Sequence, residues 1–78
     1  LIGISTSGNS KNIIKALHTA KLNGLHTISF TGLNGGLMKN HSDYLLNIPS
    51  ENTPRIQECH ILVGHIICQM VEEQFFQS

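Results

Sequence analysis

Charge is scarce in this sequence, and it is balanced. Five Lys and Arg stand against five Asp and Glu, so that 13% of the 78 residues are charged and the formal net charge is zero. A chain without excess charge offers no electrostatic handle to nucleic acid or to an anionic membrane, and neither is expected as a partner. No apolar run approaches the ~20 residues of a spanning helix, and no signal peptide is visible. Cysteine is limited to Cys59 and Cys68. Both fall on one predicted helix, on opposite faces and roughly 13 Å apart along its axis, which is too far for a disulfide. Free thiols in a compact α/β pattern imply a reducing, cytoplasmic setting.

Common site signatures are missing too. No HxxxH or CxxC occurs among the five histidines and two cysteines, so the bare sequence indicates no metal site. G-x-x-x-x-G-K-[ST] is absent, which excludes a nucleotide P-loop. There is no initiating methionine, and the chain opens on the apolar strand Leu1–Ile4, buried on both faces by its composition. It reads as a piece cut from within a domain. At this length only roughly 60–65% of the unfolded surface can be buried.

What the chain does have is a dense hydroxyl loop, Ile4-Ser5-Thr6-Ser7-Gly8-Asn9-Ser10, between that strand and an apolar-periodic segment. Free N–H groups at a helix N-terminus favour an anion, and Gly8 removes the Cβ that would keep one away. Ser5, Thr6, Ser7 and Ser10 add hydroxyl donors. The loop suits the phosphate of a small metabolite, and equally an ordinary Ser/Gly turn with Ser10 as N-cap.

Ile13, Ile14, Ala16, Leu17 and Ala20 recur at helical spacing, predicting a helix from Ser10 to Asn23 closed by Gly24. His18 on it reads as a surface or boundary residue. Leu25–Phe30 is β-favouring and predicts the second strand of a parallel, right-handed βαβ unit. Such sheets bind ligands beyond the carboxyl ends of their strands, where Ser5–Ser10 and Thr31–Gly36 lie. Gly32, Gly35 and Gly36 mark a flexible loop to about Ser42, either an αL-rich connection or a lid. Asp43–Ile48 predicts a third strand stopped by Pro49.

Thr53 as N-cap and Pro54 at the first helical position start a helix to about Phe76. Ile56, Cys59, Val63, Ile66, Ile67 and Met70 form one apolar stripe, and Ile61, Gly64, Cys68, Val71 and Phe75 a second. A helix apolar on two sides needs two covers, the sheet and a neighbouring helix, which points to a homo-oligomer. Gln57 and His65 are eight residues apart, roughly 12 Å along the axis and 80° round it. They can serve one ion only by leaning toward it from both ends, or serve sites in different subunits. The fold class is α/β, a three-layer arrangement with a parallel sheet flanked by helices in the order β-α-β-β-α.

The hydroxyl loop, together with Thr31-Gly32-Leu33-Asn34-Gly35-Gly36 and Arg55-Ile56-Gln57-Glu58-Cys59-His60 in that order, resembles the sugar isomerase (SIS) domain family. The wording is closest to the phosphoheptose isomerases, which act on sedoheptulose 7-phosphate. The resemblance implies a flavodoxin-like domain of which residues 1–78 are the C-terminal half. It implies aldose–ketose isomerisation through an enediol, serving ADP-heptose and lipopolysaccharide core synthesis, in a homotetramer. It further implies phosphate binding by Ser5, Thr6, Ser7 and Ser10, and zinc ligation by Gln57 and His65. The remaining zinc ligands, a histidine and a glutamate, belong to the N-terminal half of that family. His65 is the expected proton shuttle, while Glu58 and His60 are expected to orient and pack. Pro54 stands where some relatives carry aspartate or alanine and is given no chemical role. Two other readings share the loop: a non-catalytic tetrameric scaffold for the replication initiator, and a phosphosugar-sensing regulatory module. The scaffold lacks the later histidine, so His65 favours the enzyme. The RIQExH helix argues against the sensor.

Overall fold

The computed structural model describes residues 1–76. In chain order it contains β1 (Ile2–Ile4), α1 (Lys11–Leu22), β2 (Ile28–Thr31), a 3-10 helix (Gly36–His41), β3 (Tyr44–Asn47) and α2 (Thr53–Phe76). The strands form one parallel sheet in the order β1-β2-β3, with Gly3 opposite Ser29 and Ser29 opposite Leu45. The expected α/β order is present, with the 3-10 helix as an addition.

Side-chain alternation sorts the layers. Gly3 faces α1 and the 3-10 helix, where a Cβ would meet Ile13, Leu17 and Met38. Its row-mate Ser29 hydrogen-bonds the Ser42 hydroxyl on that same face. Phe30 points to the other face, where its ring lies 5.7 Å from that of His60 on α2. One layer is therefore α1 with the 3-10 helix, the middle one the sheet, and the third α2. Leu17, Ala20, Phe30, Met38 and Ile56 form the buried apolar core. Full burial of a side chain such as Leu17, Phe30 or Met38 is worth about 1.5–3 kcal/mol each.

Several boundaries differ from the sequence expectation for local physical reasons. Ser10 and Asn23 flank α1 as caps, and Gly24 follows at φ 76°. The N–H of Leu25 bonds the Ala20 carbonyl and that of Gly24 the Lys21 carbonyl, a Schellman closure. That closure holds Leu25 to the helix end and out of the sheet, so β2 begins three residues later than predicted. Ala16, placed on the apolar face by spacing, is exposed. β1 buries only Gly3; Ile2 and Ile4 are exposed, because α2 crosses the sheet over β2. The segment after Gly35 is no loose loop. Gly35 and Gly36 adopt positive φ, and the chain then winds into the 3-10 helix, burying Met38 completely. At α2 the cap shifts by one residue: the Asn52 carbonyl accepts from Ile56 N–H, so Thr53 opens the helix and Pro54 is second. Proline is tolerated there because first-turn N–H groups have no intrahelical partner.

α2 docks by its first turns alone. Ile56 and His60 are buried and Cys59, Val63, Gly64 and Ile67 half-buried, whereas Ile61, Leu62, Ile66, Met70, Val71, Phe75 and Phe76 are exposed. The sheet supplies one of the two expected covers; the second stripe is open among the described residues. No helix there is long and apolar enough to cross a membrane. Cys59 and Cys68 are both free thiols.

At the end of the sheet remote from the hydroxyl loop, Asp43 ties β2 to β3. Its carboxylate accepts from Thr27 N–H at 2.9 Å and faces Lys21 Nζ at 3.6 Å. The hydrogen bond from Thr27 holds the Asp43 carboxyl below its usual range, with Lys21 adding to the effect and burial opposing it. A lowered folded value means stabilisation that is present above the unfolded carboxylate pKa of about 3.9 and lost as pH falls through the folded value. The melting temperature of the full-length protein carrying this sequence should therefore exceed that of its Asp43→Asn variant near neutral pH. Thermal melts on a pH series should show that gap closing below about pH 4.

Candidate functional site

Two glycine-bearing turns meet at the carboxyl ends of β1 and β2. Ser5 N–H donates to the Phe30 carbonyl at 3.0 Å, and Gly32 N–H to the Thr6 carbonyl at 2.9 Å. Met38 N–H donates to the Gly8 carbonyl at 2.9 Å. The Asn9 side-chain oxygen accepts from Leu37 N–H, also at 2.9 Å. The hydroxyl loop is thus stitched at Ser5 and Thr6 to the end of β2 and at Gly8 and Asn9 to the start of the 3-10 helix.

The seam is close enough to dictate residue type. Gly8 has φ 72°, and a Cβ on it would fall on the Gly35 carbonyl. A Cβ on Gly36 would strike the carbonyls of Ser7 and Gly8. Neither position accepts a side chain without parting the two turns.

Within the loop, Gly8 N–H approaches both the carbonyl and the hydroxyl of Ser5, at 3.2 and 3.3 Å. Asn9 N–H donates to the Ser7 hydroxyl at 3.1 Å, and the Ser5 and Ser7 hydroxyls lie 3.4 Å apart. Ser10 occupies the N-cap position of α1, but its hydroxyl makes no capping bond. Ser10 is thus the N-cap in position, its carbonyl accepting from Ile14 N–H at 3.0 Å, without the side-chain bond of an ordinary N-cap. Ser10 and the positive end of α1 adjoin the cavity beside the loop.

A cavity of about 750 Å³ lies between this loop and α2. Ser5, Thr6 and Ser10 line one wall, Gln57, His60 and His65 the other. Ile4, Ile13 and Ile61 add apolar lining, and Cys68 also borders it. Five of the six site residues expected from sequence are thereby brought to one space. Ser7 is the exception: with Thr6 it lines a neighbouring cavity of about 250 Å³ that also touches Asn34, Ser50 and Glu51. Gln57 and His65 share the wall across slightly more than two helical turns. Among the described residues no three His, Cys, Asp or Glu side chains come together as a metal-binding group.

The remaining motif residues take structural parts. Glu58 forms a 2.7 Å ion pair with Arg55 on an exposed helix surface, a pairing worth about 0–1 kcal/mol. His60 is buried, with Nε2 2.9 Å from the Thr31 carbonyl oxygen. His18 is exposed and meets the His41 ring edge-on at 6.1 Å, away from the cavity. Asn9 and Thr31–Gly32 fall within the two stretches that the sequence places at the strand ends, but the particular bonds they make across the seam carry no signal in it.

The SIS domain family matches residues 1–67 of the chain. The phosphoheptose isomerase of Aneurinibacillus thermoaerophilus is 56% identical over 77 residues, covering 99% of this chain and 39% of that protein. The one from Clostridium acetobutylicum is 57% identical over 76 residues. Among solved structures, a phosphoheptose isomerase from Neisseria gonorrhoeae superposes with a TM-score of 0.86 at 46% identity, over 91% of this chain and 41% of that one. One from Francisella tularensis gives 0.88 at 37% identity, over 94% and 40%. The chain spans about two fifths of the length of these relatives.

The seam makes a stability prediction. Gly8→Ala should destabilise the full-length protein by roughly 2–4 kcal/mol, combining left-handed strain with overpacking. Gly24→Ala, at a similar φ but with open space around its Cβ, should cost only about 1 kcal/mol. Urea midpoints at constant m-value would resolve the two.

Proposed function

The chain belongs to the SIS domain family, and we propose that it forms the phosphate-binding wall and one catalytic wall of an aldose–ketose isomerase acting on a seven-carbon sugar phosphate. The observation that carries this reading is the shared cavity: hydroxyls and a helix N-terminus on one side, Gln57 and His65 on the other. An anion seated at Ser5, Thr6 and Ser10 would direct the rest of a short polyol along the wall of α2. The relatives' name supplies the substrate class.

Isomerisation moves one proton between neighbouring carbons through an enediol. It needs a group that takes and returns that proton near neutral pH, and a donor or cation for the developing oxyanion. His65 lines the cavity, and histidine is the side-chain type suited to the first task. Ser5, Thr6 and Ser10 bind and orient the phosphate, and the isoleucines offer apolar surface to the carbon chain of the sugar. Gln57 and His65 fit a zinc ion in donor type, offering an amide oxygen and an imidazole nitrogen to one space. Zinc, when bound, would act as a Lewis acid on the sugar carbonyl. The further ligands of such an ion would come from sequence beyond this chain. A homotetramer, cytoplasmic placement and supply of heptose for lipopolysaccharide core synthesis complete the proposal. The open apolar side of α2 supports the assembly.

The test is conversion of sedoheptulose 7-phosphate by the full-length protein carrying this sequence. Turnover should fall on chelation and return with added zinc. A protein that binds sugar phosphates without turning them over would instead be a sensor or scaffold. Ser10→Ala should raise KM roughly ten- to hundred-fold, as loss of a hydrogen bond to a charged group does, and leave kcat nearly unchanged. An unaltered KM would remove Ser10 from the phosphate site.

A further inference from the structure

His60 is a buried titratable side chain for which the proposed reaction has no use. Its residue is 3% exposed, and it sits on α2 between Gln57 and His65. A carbonyl oxygen only accepts, so the 2.9 Å contact with Thr31 O fixes the proton on Nε2. The same oxygen also accepts from Ile48 N–H at 3.0 Å. Thr31 C=O and Gly32 N–H belong to one planar peptide unit. Its N–H donates to the Thr6 carbonyl inside the hydroxyl loop at 2.9 Å. One rigid unit is thus gripped by α2 on one side and by the loop on the other. Hydrogen bonds arranged in series in this way polarise one another. The unit has no slack, since a Cβ on Gly32 would press on Thr6 O and on the Ile56 side chain.

The other ring nitrogen sharpens the point. His60 Nδ1 is buried and has no hydrogen-bond partner among the described residues. A buried acceptor left unpaired disfavours histidine, and a buried polar group of this kind calls for an explanation. Phenylalanine could pack against Phe30 in the same place without that burden. Packing therefore does not account for a histidine here, whereas the Nε2–H bond does.

We propose that His60 is a positioning residue: through the Thr31–Gly32 peptide it fixes Thr6 and the phosphate-binding loop relative to the α2 wall that carries Gln57 and His65. The proposal rests on the phosphate-binding reading of the loop. It assigns His60 no contact with substrate and no step in proton transfer.

The experiment uses the full-length protein and two variants. His60→Phe keeps the ring and loses the donor, while His60→Gln places an amide N–H near the position of Nε2. Inorganic phosphate affinity is measured by calorimetry, and kcat and KM for sedoheptulose 7-phosphate are measured in parallel. His60→Phe should weaken phosphate and raise KM about ten-fold, with kcat within about three-fold of the parent, and His60→Gln should restore both constants to within about three-fold. A packing role alone would not give selective rescue by glutamine. Phosphate affinity unchanged in His60→Phe, equal weakening in both variants, or no phosphate binding by the parent would each overturn the proposal.

A measurement on the parent covers failure of His60→Phe to fold. Long-range 1H–15N spectra should show His60 as the Nε2–H tautomer, and added phosphate should shift that proton together with Gly32 N–H. An Nε2–H resonance unmoved by saturating phosphate would overturn the proposal. Phosphate binding that depends on His60 in a protein without turnover would remove the isomerase reading and leave the positioning role standing. Turnover with no effect in His60→Phe would do the reverse.

Discussion

The structure depends on how closely two turns approach. Gly8 and Gly36 bring the hydroxyl loop and the start of the 3-10 helix into backbone contact, and the Met38, Leu37 and Gly32 amides lock the seam. Met38 is buried because that seam delivers it under the sheet, where it packs beside Gly3, Ile13 and Leu17. The same contact leaves Ser10 at the mouth of α1 with its hydroxyl uncommitted. Core and candidate site are therefore one construction. A change that parts the turns loosens Met38 and displaces the loop together.

The second constraint is the way α2 crosses the sheet. Phe30 and Ile56 fix it over β2, which leaves Ile2 and Ile4 uncovered and opens the cavity beside them. A helix lying squarely over β1 would have filled that space with its own side chains. The chemistry-bearing residues reach one cavity because the cover is incomplete. The cavity's apolar lining comes from three elements, Ile4 of β1, Ile13 of α1 and Ile61 of α2.

Much of this was legible in the residues. The βαβ unit, the hydroxyl loop at a strand end, and a long C-terminal helix follow from periodicity, β-branching and the Ser/Gly cluster. The cavity gathers the site residues that the resemblance named, apart from Ser7. What stayed hidden was tertiary. Glycine at 35 and 36 reads locally as freedom to turn, and Gly8 as room for an anion, yet Gly8 and Gly36 each have another backbone lying against them. Met38 sits in a stretch with too little period to show a face, so its burial could not be read. The late start of β2 follows from a Schellman bond between Leu25 and Ala20, which competes with strand pairing in a way that composition does not weigh. Ser7 and its neighbours are alike in chemistry. Only the course of the turn sends Ser7 to a different cavity.

The shallow docking of α2 has a mechanical consequence. As a 24-residue helix it is a rod roughly 36 Å long. It is clamped near one end, with Ile56 and His60 as the buried points and free length beyond Ile67. Gln57 lies between the clamps and moves only if the sheet does, whereas His65 stands more than a turn outside them. The free length beyond Ile67 is continuous with the wall that carries Gln57 and His65, so a contact made there bears on the same rigid rod.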